Sequence, residues 1–202
     1  MTGFIQVNLS DIVEELGENR TKTILADFSC PLNSDVEYFL REKAIEFSKQ
    51  GFSKTHLVFA SYKGEKKLVG YYALASKSIQ VSKEVLSKTM QKRMARFGTY
   101  NAEIKQYILP TILIAQLGKN YTDGMDKLIA GSDLLNMACD EVRRVQKSIG
   151  GKFVYLECED KNKLRNFYKK SGFNEFGNRL LDKEEVGVLY GEYLLQLIRY
   201  LK

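Results

Sequence analysis

Several common chemistries are excluded by what this chain of 202 residues has little of. It carries three cysteines, Cys30, Cys139 and Cys158, and no two of them form a C-x-x-C pair. An odd, dispersed set supports neither a disulfide framework nor a zinc site, so reduced thiols and no bound metal are expected. The single histidine, His56, falls in a β-rich run, where a local hydrogen bond accounts for it. Cys158 has no histidine near it in sequence, so a cysteine–histidine dyad depends on the two meeting in space. No window approaches the roughly 20 apolar residues of a membrane helix. The opening MTGFIQVNLSDIVEELGEN has neither the basic start nor the continuous apolar run of a signal peptide, so a soluble, cytoplasmic protein with no membrane partner is expected. Internal repeats and low-complexity linkers are also missing.

Hydrophobic residues make up 44% of the chain, enough for one well-filled core and too few for two comfortable domains, so 1–202 reads as one domain. The formal net charge of +6 favours anionic partners such as a nucleotide cofactor or RNA without proving either.

Periodicity supplies the elements. Ser10 is placed to cap a helical turn that Gly17 stops. Ser34 and Glu37 have capping-box spacing, followed by Val36, Phe39, Leu40, Ala44 and Phe47 at helical intervals up to Gly51. Residues 56–79 switch to two β-rich runs around the turn-forming KGEKK, a hairpin. Residues 82–106 collect Lys83, Lys88, Lys92, Arg93 and Arg96 around a helix that ends before Gly98, with Phe97 and Tyr100 following. This is either a solvated basic face or a surface that binds RNA phosphates and stacks bases. Residues 109–117 are almost continuously apolar, as in a strand covered on both faces, and Pro110 belongs at its start. A helix over 128–148, stopped by Gly150 and Gly151, a strand over 153–157 and a helix over 162–171 follow. In the tail, Val188, Tyr190, Tyr193, Leu195 and Leu197 alternate around Gly191, which predicts strands.

Strand, loop and helix N-terminus together form a general phosphate-holding device, because first-turn amides are unpaired and the helix dipole favours an anion. The amides of Ile129, Ala130, Gly131 and Ser132 fill that role here; Gly131 either lets a pyrophosphate approach or serves tight helix packing.

The segments DKLIAGSDLL and FYKKSGF, in that order and spacing, resemble the phosphate signature and the Y-x-x-x-G-F motif of the GNAT acetyltransferases. The first departs from the family pattern: Asp126 stands where Gln or Arg is usual and Ile129 replaces the middle glycine. The second matches well. From Phe28 onward, FSCPLNSDVEYFLREKA, GFSKTHLVFA and LVGYYALA are similar to the front half of the GNAT subgroup that includes tRNA-acetylating toxins, and IAQLGKN stands where that subgroup reads L-G-R-L-A-V-D. The similarity extends over about 28–173.

The resemblance implies an α/β GNAT fold: a mixed central sheet with splayed fourth and fifth strands and flanking helices. It implies acetyl-CoA as cosubstrate, bound where those strands part. Backbone groups of Leu117, Gly118 and Lys119 then meet the pantetheine arm and polarise the thioester carbonyl. The phosphates fall to Ile129, Ala130, Gly131 and Ser132, with Lys119 and Lys127 near enough in sequence to offset Asp126. A primary amine attacks directly, and Tyr168 protonates the departing thiolate, since a phenol of pKa about 10 holds its proton at neutral pH; read without the family, Tyr168 is a core tyrosine on a short helix. Glu157 is the candidate base, with Glu159 on the same side of its strand. Asn162, one position from the family's asparagine, is a further cofactor candidate. The acceptor is a small amine or a protein amine, or the amino group of aminoacyl-tRNA as in the toxins. A non-catalytic GNAT-like binding module is the other alternative. Dimers are common in the family, with the C-terminal strands as contacts.

Overall fold

The computed structural model describes residues 3–183 and 185–202. Along the chain run β1 (Ile5–Asn8), α1 (Leu9–Leu16), α2 (Glu18–Ala26), α3 (Ser34–Tyr38), a π-helical turn (Phe39–Lys43) and α4 (Ala44–Gln50). They are followed by β2 (Lys54–Tyr62), β3 (Glu65–Ser82), α5 (Lys88–Phe97), β4 (Thr99–Asn101) and β5 (Gln106–Lys119). A 3-10 segment (Thr122–Leu128), α6 (Gly131–Ile149), β6 (Phe153–Glu159), α7 (Asn162–Lys170), β7 (Asn174–Leu180) and β8 (Tyr193–Tyr200) complete it. Among the described residues eight strands form a mixed sheet, and with the helices between them they make the GNAT fold.

Two compact units divide the chain, Met1–Ala75 with Ile114–Asp140, and Ser76–Leu113 with Glu141–Lys202. The first holds the strand order β1-β2-β3-β5. Its hairpin β2–β3 turns on Lys63 and Gly64, both left-handed at φ 51° and 82°, the geometry that suits the twist of two paired strands. Leu25, Phe28, Leu40, Leu57 and Tyr71 are fully buried in its core. Phe28 meets Tyr71 edge-on at 5.2 Å, and Phe39 stacks on Tyr71 at 6.4 Å.

Helices α1 and α4 end where the sequence places the stops, and α1 and α3 are capped one or two residues before the expected positions. Gly17 and Gly51 close α1 and α4 with φ of 78° and 76°. Asn8, not Ser10, caps α1 by accepting from the Ser10 amide, and Asn33, not Ser34, caps α3 by accepting from Asp35 and Val36. Glu37, expected to close a capping box, turns away: its Oε2 accepts from the Cys30 N–H at 2.7 Å and the Ser29 hydroxyl at 3.1 Å.

The second unit carries β3-β5-β6-β8-β7, with β4 beside β5. Its core gathers Met94 of α5 with Leu109, Phe153 and Ile198. The tail gives one strand, β8, whose register partners are β6 and β7 rather than residues 186–190. Strand β5 is longer than expected and buried on alternate residues: Tyr107, Leu109 and Thr111 face inward, while Pro110 is exposed within it. Helix α6 begins at Gly131, three residues later than its apolar pattern suggests, because 122–128 coil more tightly as a 3-10 segment.

Candidate active site

The end of β5 and the start of α6 lie in the first unit, so five elements can be followed from one side chain to the next there. Gly118 is demanded by packing: a Cβ on it would stand 2.3 Å from Val36 Cγ1. Gly70 of β3 answers it, since a Cβ there would lie 2.8 Å from the Gly118 carbonyl oxygen. Two glycines therefore let β3, β5 and the α3 turn close on one another, and the backbone of Leu117, Gly118 and Lys119 is held by that packing.

Asn120, which the sequence reading passed over, is the hub of the loop that follows. It is 3% exposed, and its amide donates to the Leu68 carbonyl at 2.9 Å while its Oδ1 accepts from Ser29 N–H at 3.0 Å and Thr122 N–H at 3.1 Å. Every hydrogen bond goes to backbone, so removing the side chain strands the buried Leu68 carbonyl at a cost of about 1–3 kcal/mol, and two part-buried amides at less. Only its place at the end of an apolar strand hinted at the role.

Lys119 is the second tie. Its ammonium donates to the carbonyls of Asp126 at 2.8 Å and Ile129 at 3.3 Å, and lies 5.7 Å from the Tyr121 ring centroid. The contacts of this lysine are with backbone rather than with the Asp126 carboxylate it was expected to offset, and they staple the 3-10 segment to the strand. Within that segment Asp123 and Gly124 both take left-handed φ, 50° and 73°, tolerable for a glycine and uncommon for an aspartate.

At the helix start the expected set of four amides is reduced. Ile129 is buried, and its carbonyl is taken by Lys119. The Ala130 amide donates to Asp133 Oδ2 at 3.3 Å, a capping arrangement in which an acid at the third helical position reaches back. Gly131 and Ser132 are left as the first-turn amides that an α-helix does not pair internally. Asp133 also places a negative charge where the helix dipole would otherwise favour a phosphate.

The remaining candidates belong to the second unit. Tyr168 is 9% exposed on α7, with its ring 5.0 Å from Phe167 and 6.0 Å from Phe173. Burial pushes its phenol above the ordinary tyrosine value, which keeps the proton on at neutral pH. Asn162 opens α7 and is exposed. Glu157, expected as a base, has both oxygens engaged: Oε2 accepts from Arg179 Nε at 2.7 Å and Oε1 from Gln196 Nε2 at 2.9 Å. Arg179 in turn makes two 2.8 Å bonds to Glu185, tying the loop after β7 to β6. Glu159 is occupied as well, by Lys161 at 2.6 Å and the Tyr190 N–H at 2.8 Å. Cys158 is no nucleophile, because burial, reinforced by nearby carboxylates, raises its thiol to about 12. His56 lies on β2 and stacks on Tyr72 at 4.9 Å.

A depression of about 240 Å³ is lined by Cys30, Pro31, Ser34, Glu37, Tyr38, Arg41 and Glu42, none of them a predicted site residue. Its Glu37 and Arg41 are spent on each other and on backbone. Among the described residues no three His, Cys, Asp or Glu gather as a metal site, and no helix is long and apolar enough to cross a membrane.

The arrangement is the GNAT fold. AtaT complexed with acetyl-methionyl-tRNAfMet superposes with a TM-score of 0.61 at 16% identity, over 96% of this chain and 94% of that one. A tyrosine mutant of KacT gives 0.61 at 16% identity, over 96% and 93%. AtaTR bound with AcCoA gives 0.55 at 15% identity, over 96% and 93%. No family model and no curated protein matches the chain.

Proposed function

We propose that this protein is an N-acetyltransferase that moves the acetyl group of acetyl-CoA to a primary amine by direct attack. The observation that carries the reading is the run of packed backbone in the first unit: the glycine-clamped end of β5, the stapled loop and the start of α6. Leu117, Gly118 and Lys119 offer the pantetheine arm backbone hydrogen bonds, and an amide among them polarises the thioester carbonyl. Gly131 and Ser132 offer their amides to the pyrophosphate. Tyr168 gives its proton to the departing sulfur, and its burial keeps that proton in place until then. Asn162 is the remaining cofactor candidate. Proton removal from the amine is not given to Glu157, whose oxygens are both engaged.

Aminoacyl-tRNA is the acceptor we favour. AtaT is solved with an acetylated aminoacyl-tRNA, and α5 exposes Lys88, Lys92 and Arg96 to a phosphate backbone, while Arg93 is committed to the Tyr200 ring at 4.5 Å. Calorimetric titration with acetyl-CoA, followed by transfer of labelled acetyl to bulk aminoacylated tRNA and to spermidine, tests both levels. Failure to bind acetyl-CoA would leave a binding module of another kind. Transfer to spermidine alone would keep the enzyme and discard tRNA.

A further inference from the structure

We propose that Asp35 and Gln116 bind the ammonium group of the acceptor, and that Asp35 takes its proton; the inference rests on the acetyltransferase reading above. The two residues are 81 apart in sequence, yet Gln116 Nε2 donates to Asp35 Oδ2 at 2.9 Å. Both are half-buried. With its Nε2 given to Asp35 Oδ2, Gln116 keeps its Oε1 as an acceptor and Asp35 keeps its Oδ1. Two acceptors, one of them charged, suit a group with three N–H donors.

The pair is held in place from three sides. The buried Tyr71 hydroxyl donates to the Val36 carbonyl at 2.6 Å. Val36 packs against Gly118 so closely that a Cβ would not fit. Asn33 caps the turn through the Asp35 and Val36 amides. Gln116 also immediately precedes Leu117, the first of the residues assigned to the thioester arm, so the two proposed sites share the same end of β5. Among the described residues no lysine or arginine pairs with Asp35. A partly desolvated carboxylate without a cation gains most from acquiring one.

The step balances without another reagent. The ammonium passes one proton to the Asp35 carboxylate and becomes a neutral amine. Its lone pair forms the N–C bond as the C–S bond breaks; the departing sulfur takes the Tyr168 proton and leaves as the thiol, the second nitrogen proton goes to solvent, and solvent reprotonates Tyr168 and takes the proton from Asp35.

Asp35→Asn tests this with the fold intact, since the asparagine Oδ1 still accepts from Gln116 and only the charge is lost. The acceptors are bulk aminoacylated tRNA, spermidine and a lysine-bearing peptide, and whichever the wild type acetylates best is carried forward. The expected result is a KM for that amine raised about ten-fold or more, from loss of a charged hydrogen-bond partner. Acetyl-CoA affinity and melting temperature should stay near wild type, and Asp35→Glu should recover part of the loss. An unchanged amine KM in Asp35→Asn overturns the assignment while leaving the acetyltransferase standing. A wild type that acetylates none of the three overturns both.

Discussion

Tyr168 and Glu37 show how surroundings decide what a titratable residue can do, burial at the first and hydrogen bonding at the second. An ordinary phenol already holds its proton at neutral pH, and burial beside Phe167 and Phe173 pushes the Tyr168 value further up, so it stays a proton donor. Tyr168→Phe should leave the melting temperature nearly unchanged and lower kcat by about 100-fold or more, the usual contribution of one positioned acid; equal kcat in a steady-state assay would remove it from the mechanism. Glu37 is held below the usual carboxylate range by the Cys30 N–H first, then by the Ser29 hydroxyl and Arg41. A depressed folded value means that the stabilisation is present above the unfolded carboxyl pKa of about 4.3 and is lost as pH falls through the folded one. Glu37→Gln should therefore melt earlier than wild type at pH 7, by the equivalent of about 1 kcal/mol for a partly exposed group. The gap should close as both are taken towards pH 3 in a series of thermal melts. A gap that stays constant with pH would mean the carboxylate charge is not what holds the Ser29–Cys30 turn.

At the scale of elements, the start of α6 is where sequence and structure diverge most. Its apolar face was legible: Leu135, Ala138 and Val142 recur at helical spacing, and all three are buried. Its start was not, because an amide's partner depends on where a neighbouring carboxylate folds back. Asp133 takes the Ala130 amide, and Asp133→Asn should keep the cap while removing a charge that opposes phosphate. Acetyl-CoA should then bind about five-fold more tightly, corresponding to roughly 1 kcal/mol of helix-terminus electrostatics; weaker binding by calorimetry would place the phosphates elsewhere. The other elements divide along the same line. Strands β2, β3, β6 and β8 and helices α5 and α7 follow strong local patterns. Helix α2 went unread because only Thr21 and Leu25 of its nine residues are buried, and β7 because Phe176 alone faces inward and its register shifts between Glu175 and Gly177. The Asp35–Gln116 contact was beyond reach for a different reason: a first-turn aspartate and a strand glutamine each have ordinary local roles, and only the chain's return over 81 residues joins them.

For the molecule as a whole, the two units make different contributions to the proposed reaction, and the ligand itself can separate them. The backbone assigned to acetyl-CoA, the Asn120 hub and the Asp35–Gln116 pair all fall within the first unit, whereas Tyr168 and the Glu157–Arg179 network fall within the second. A ligand that binds only the folded chain at 100 times its Kd adds about 2.7 kcal/mol to stability. Saturating acetyl-CoA should accordingly raise the melting temperature by several degrees. Hydrogen exchange locates the effect more sharply, because local opening is suppressed most where the ligand touches backbone. Protection on adding acetyl-CoA should concentrate in peptides covering 114–132, with little change in β7 and the loop that follows it. Protection confined to the second unit would move the cofactor away from the glycine-clamped strand, and with it the reason for two facing glycines to be anything more than packing.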